Sequence, residues 1–331
     1  MASFAAMMLT LAPVQAEGLF PAPQGEQWGY IDRQGEWVVE PRFTQAEVFS
    51  EGRAAVFDGE KWGVIDGEGA WVREPFIRSM GRRTLGGQYR FVDPPISPFR
   101  EGHAAVCSRT EGCYLIDRDG DEHLVDAGFH HLLSPSEGLV AYQHGRGMRE
   151  PQGFLDLDGQ VVIEARFDEV GPFSDGLAVA AESRSAWGYA DRDGQWAIAS
   201  DFRGAGPFRD GLAPVRHGLR EWFYIDREGN VVIDGPFREA HPFSDGVALV
   251  EDRDRQYRFI NTDGEEVLEE FTQRDDLCGI RPFHNGLARA LLVKPGARGC
   301  GTITTGHGRM FAENGRLAYI NREGEVVWAE G

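Results

Sequence analysis

A period of 35 residues constrains this chain more than any other feature. Asp156, Asp191, Asp226 and Asn261 stand 35 residues apart, each at the same place in a recurring cassette. The cassette is an aromatic residue, often Gly, an apolar pair, Asp or Asn, two further residues and Gly. It appears eight times, first as Trp28-Gly29-Tyr30-Ile31-Asp32 with Gly35 and as Trp62-Gly63-Val64-Ile65-Asp66 with Gly69. Further copies run over 113–117, 152–156, 187–191, 222–226, 257–261 and 317–321. A second cassette, Pro-Phe-x-Asp/Glu-Gly-Leu-Ala, alternates with it at 98–102, 172–176, 207–211, 242–246 and 282–286, with variants at 49–52 and 135–138. Glu17-Gly18-Leu19-Phe20 is a truncated copy. Self-similarity at this spacing marks a repeat architecture rather than two unrelated domains.

Each unit reads as β-structure. In Tyr224-Ile225-Asp226-Arg227-Glu228-Gly229-Asn230-Val231-Val232-Ile233, two β-branched and aromatic runs flank an Asp-x-x-Gly link. Asp accepts a hydrogen bond from the backbone two residues on, and Gly takes the left-handed conformation that closes a short hairpin. The Asp-Gly-Leu-Ala step of the second cassette opens a third strand. Three strands in 35 residues fall short of a propeller blade, which usually needs about 40 or more residues. The expected fold is therefore an all-β array of about eight three-stranded repeats forming an open superhelical solenoid, with a closed propeller-like ring as the alternative. The array covers 17–331, and longer spacings place insertions near 73–97 and 291–315.

Seven of the eight tryptophans sit at two equivalent cassette positions, and pairs 28/37, 62/71 and 187/196 lie nine residues apart across one hairpin. Pairing Asp32 with Glu36 sets Trp37 opposite Ile31 and diagonal to Gly29, which leaves room for the indole over the backbone. The array resembles the bacterial WG-repeat family, named for the Trp-Gly pair intact at 28–29, 62–63 and 187–188. Gln152-Gly153 and Trp222-Phe223 are degenerate copies, and the third, seventh and eighth copies lack the pair. The resemblance implies an all-β repeat structure without assigned catalysis, and it supplies no catalytic residues.

Residues 1–16 form an apolar run ending in Val14-Gln15-Ala16, which reads as a signal peptide cleaved after Ala16, although no Lys or Arg precedes the run. Four cysteines suit an oxidising compartment. Cys107 and Cys113 take the places of Phe57 and Trp62 in the preceding unit, while Cys278 and Cys300 bracket the last Pro-Phe cassette. The expected disulfides are Cys107–Cys113 and Cys278–Cys300. A net charge of −19 argues against nucleic acid as partner, and no apolar run is long enough to span a membrane as a helix.

No nucleophile elbow, phosphate loop or dinucleotide fingerprint occurs, and neither Cys nor His shows metal-ligand spacing, so no cofactor and no metal are expected. Asp117-Arg118-Asp119-Gly120-Asp121 and Asp191-Arg192-Asp193-Gly194 suit hairpin turns better than calcium loops. Arg78, Arg82, Arg83 and Arg90 cluster in the first insertion and are the candidate contact for an anion or a partner. The expected role is a non-catalytic binding or scaffold protein of the cell envelope, periplasmic or secreted, with a protein partner. The alternatives are a glycan or peptidoglycan binder using exposed tryptophans, and an enzyme of unknown class.

Overall fold

The computed structural model describes residues 18–78, 94–108, 112–123, 128–145, 150–183, 185–301, 303–306 and 309–331. The expected signal peptide therefore lies outside the described residues. The chain forms eight small antiparallel sheets in succession around a central axis, each a blade, plus one two-stranded hairpin. The second blade shows the plan: Gln45–Ala46 innermost, then Arg53–Phe57, Trp62–Asp66 and Trp71–Ile77 outermost. Six blades have four strands, and in the third an isolated bridge from Ile96 to Val106 takes the innermost place. The first blade shows three strands among the described residues, Phe20–Gln24, Gln27–Ile31 and Trp37–Phe43.

The open solenoid is corrected by the contact between the first and last blades. Tyr319 Oη donates 2.9 Å to the Pro21 carbonyl. Its ring lies 5.4 Å from that of Phe20, and Trp37 meets Trp328 edge-on at 6.4 Å. Phe20, Ala22 and Ile31 share one buried cluster with Leu287, Leu317 and Tyr319. The ring is a closed eight-bladed propeller, sealed by side chains of adjacent blades. The unit is also four-stranded rather than three-stranded. The extra strand is often only two residues long, as at Gln45–Ala46, Gly204–Ala205 and Glu239–Ala240, too short for alternation to show in sequence.

The hairpin register follows the sequence: Asp32 N–H donates 2.9 Å to Glu36 O, and Ile31 faces Trp37. Asp117 and Asp191 are turn residues, each accepting two backbone N–H groups with Oδ1. The Trp-Gly glycine serves a purpose other than seating the indole. A Cβ on Gly188 would stand 2.6 Å from the Ile198 carbonyl of the outermost strand, and at Gly29 and Gly153 the equivalent backbone comes closer still. At Gly63 the tryptophan ring also crowds this space, 2.8 Å from Trp71. The glycine lets the outermost strand lie against the third one.

Both disulfides are formed. Cys107 and Cys113 are directly paired across the third blade's hairpin, where the second blade pairs Phe57 with Trp62. Cys278–Cys300 ties the last blade to the chain leading into the hairpin Ile303–Gly306/Arg309–Ala312. Reduction is expected to lower stability by roughly 2–4 kcal/mol for the longer loop. Melting with and without reductant, against a Cys300→Ser variant, reads this; an unchanged melting temperature would show that the clamp adds nothing.

Candidate functional site

Alternation of strand direction puts the turn between the two inner strands and the Asp-x-x-Gly hairpin at one end of the ring. The inner turn is a tight two-residue link. Glu51, Glu101, Glu137, Asp175, Asp210 and Asp245 hold φ between 49° and 55°, and each is followed by a glycine of positive φ. This is the turn type that matches strand twist, and carboxylate residues with a following glycine tolerate it best.

These carboxylates form a collar around the axis. Glu51 accepts from the N–H groups of Glu101 and Gly102 at 2.7 and 2.8 Å. Glu101 accepts from those of Glu137 and Gly138 at 2.5 and 2.7 Å. Glu137 accepts from Gly176, Asp175 from Gly211, Asp210 from Gly246 and Asp245 from Gly286. From the second blade to the seventh, each blade's acid thus caps the turn of the next. Arg118 adds an ion pair to Glu51 at 2.9 Å. Burial pushes the Glu51 carboxyl up, but the Gly102 and Glu101 N–H groups and Arg118 together hold it below its ordinary value.

A second circuit of bonds runs beside it. The residue before each collar acid is Ser50, Ser136, Ser174 or Ser244 in four turns and Arg100 or Arg209 in two, and His284 stands at the same place before Asn285 in the last blade. Ser50 Oγ donates 2.6 Å to Phe99 O, Ser136 Oγ 2.6 Å to Phe173 O, and Ser174 Oγ 2.5 Å to Phe208 O, always in the next blade. Burial lowers the His284 imidazole below its ordinary range, against the pull of Asp245 and a bond to the Phe49 backbone. Tyr30, Tyr189 and Tyr224 donate to the carbonyls of Glu47, Gly206 and His241, each the residue just after the next blade's innermost strand.

The sequence had marked the second cassette only as a turn. Its collar acids, the two arginines and the histidine went unnoticed, although aligning the cassettes shows Ser at most copies of this position and Arg or His at three. Arg78, the one described member of the predicted arginine cluster, is exposed and pairs with Glu60 at 3.0 Å. Arg82, Arg83 and Arg90 lie outside the described residues. The tryptophans do not form a shared stripe. Trp62 is fully buried, Trp71 packs edge-on against Phe43 of the preceding blade, and Trp196 does the same to Phe167 while donating to Glu182.

The opposite end breaks the repetition. The second blade's outermost strand ends there at Ile77, the short helix Glu269–Thr272 links the last two blades there, and the disulfide-clamped hairpin leaves the last blade there. No helix among the described residues is long and apolar enough to cross a membrane.

Among solved structures, the fold is similar to that of a eukaryotic initiation factor, at 12% identity over 96% of this chain and 85% of that one, with a TM-score of 0.54. That likeness concerns the fold alone. Weaker likenesses are to BamB from Moraxella catarrhalis (13% identity, 83% of this chain and 93% of that one, TM-score 0.49) and to the computationally designed Ika8 protein (12%, 87% and 86%, 0.49). No curated protein matches the chain. The family described as WG containing repeat matches residues 28–62, 153–181, 187–218, 222–255 and 257–292, just over half of the chain. These spans fall on the blades whose strands and turns are described above, and the chain belongs to the WG containing repeat family.

Proposed function

We propose that the protein is a non-catalytic scaffold of the cell envelope that binds a protein partner through the end of the ring opposite the collar. The observation that carries this reading is that the departures from the repeat fall at that one end: the end of the strand Trp71–Ile77, after which the sequence carries its first insertion, the helix Glu269–Thr272 and the clamped hairpin. Eight similar blades offer a partner near-equivalent surfaces, whereas recognition of one partner in one orientation needs surface that is not repeated. The collar supports the non-catalytic half of the reading. Its carboxylates are taken up by backbone N–H groups, and Glu51 is held below its ordinary value, whereas a general acid or base needs a free and poised group. Two disulfides support an oxidising compartment. Trp62 is buried, and Trp37, Trp71 and Trp196 are each held edge-on by a ring of a neighbouring blade, which speaks against a glycan-stacking surface.

The test is affinity capture from envelope extract with the full chain and with a variant whose 301–313 segment is replaced by Gly-Ser, leaving Cys278–Cys300 in place. A partner held by the full chain and lost by the variant, with an unchanged melting temperature, is the expected result. A partner held equally by both, or captured through substitutions in the Asp-x-x-Gly hairpins, would move the interface to the collar end.

A further inference from the structure

We propose that Arg100 and Arg209, with His284 beside them, form an anion-binding site at the axial mouth of the collar, taking a compact oxyanion such as a phosphate or carboxylate group. This proposal is independent of which protein docks on the opposite end. It starts from a choice the repeat makes at one position. At Ser50, Ser136 and Ser174 the side chain donates to the carbonyl of the next blade and ties the ring together. At Arg100 and Arg209 that bond is given up. Among the described residues, neither guanidinium hydrogen-bonds or ion-pairs with any side chain or carbonyl, and both residues are half-buried.

The two guanidiniums lie within electrostatic reach of each other, and Arg100 also within reach of His284. Burial followed by the charge of Arg209 makes the Arg100 cation less favourable than in water. Glu51 and Glu101 lie near enough to offset part of that cost, but Glu51 is occupied by two N–H groups and Arg118, and Glu101 by two N–H groups. The ring therefore carries like charges at its axis that its own fold does not use, where a serine would have stabilised it. Such a local loss at a structurally simple position is the mark of a site kept for a ligand. Guanidinium forks match the paired oxygens of carboxylate and phosphate. The surrounding acidic ring sets the size limit: an extended polyanion is repelled, while a single compact group that reaches the axis is held from two sides.

The experiment is calorimetric titration with inorganic phosphate and, separately, with acetate, in sodium chloride of matched ionic strength. Wild type is expected to bind at least one of them saturably, and the two arms distinguish a tetrahedral from a planar ligand. Arg100→Ser and Arg209→Ser should each weaken binding at least tenfold, and the double variant should abolish it. Because serine is the residue other blades place here, the double variant should melt no lower than wild type in chloride. An Arg100→Lys/Arg209→Lys variant, which keeps charge but loses the forks, should melt like wild type and bind more weakly. Equal affinity in the double serine variant, no saturable binding by wild type, or a double serine variant that melts lower would each overturn the proposal, the last by showing that the arginines serve the fold.

Discussion

Replacing Gly153 with alanine should strip the outermost strand from the fourth blade and destabilise the protein by about 3 kcal/mol, at the upper end of what inserting one methyl into a tight site costs. The position is strained by space alone. A Cβ there would press on the Ile163 carbonyl and on the backbone at Glu164 and Ala165. Backbone atoms of a paired strand cannot turn aside as a side chain can, so the strand must move away. The repeat has already run this comparison. Where the third strand has its glycine, at Gly29, Gly63, Gly153 and Gly188, the outermost strand is seven residues long. Where that residue is Arg258, the outermost strand shrinks to Glu266–Val267. The sixth blade has Phe223 and still keeps seven residues, Val231–Phe237. It does so with a glycine on the other strand: a Cβ on Gly235 would collide with the Trp222 carbonyl and the Phe237 nitrogen.

That exception supplies the rescue. Ala165 in the fourth blade is the counterpart of Gly235, so Ala165→Gly should return part of the stability lost in Gly153→Ala. Chemical denaturation gives the energies, and amide exchange over 161–167 reports whether the strand has detached. Gly153→Ala with full protection of those amides, or a double variant no more stable than the single one, would show that the glycine does not govern strand length. Coupling is expected because the two positions share one close approach.

The same glycine shows how far the sequence could be read. The Trp-Gly pair was visible, and so was the hairpin joining the third and outermost strands, because turn chemistry is local. The cysteine pairs were legible for a related reason: aligning cassettes put Cys107 and Cys113 where Phe57 and Trp62 face each other. What the sequence hid was the innermost strand. Gly204–Ala205 and Glu239–Ala240 have no alternation to display, and each pairs with the next strand of its blade through two residues only. Without that strand, the unit looked too small for a blade, and the array was read as open. The collar was missed because its chemistry lies between units. Glu101 looks like a turn residue until Gly138 of the next blade is seen donating to it.

The collar predicts a specific response to acid. Glu51→Gln should cost roughly 1.5–3 kcal/mol at neutral pH, the range for hydrogen bonds to a charged group, and progressively less as pH falls through the carboxyl's folded-state value. The sign follows from the folded-state shift. Burial alone would raise the Glu51 carboxyl, but two backbone N–H groups and Arg118 outweigh it and hold the group below its ordinary value of 4.5. A carboxyl depressed in the fold contributes stability that is complete above its unfolded value and disappears as pH falls through the folded one. The amide keeps the shape but turns an N–H donor toward the Glu101 or Gly102 N–H, so the loss at neutral pH includes a mismatched contact. Wild type alone would not isolate this. Acidification also relieves the repulsion of a chain with a net charge of −19, which opposes the loss of the collar bonds. The difference between wild type and Glu51→Gln removes most of that common term. Measured by denaturation from pH 7 to pH 3, it should shrink steadily below about pH 4.5. A difference that stays constant over the whole interval would mean that the blades are joined by packing, with the carboxylates as bystanders.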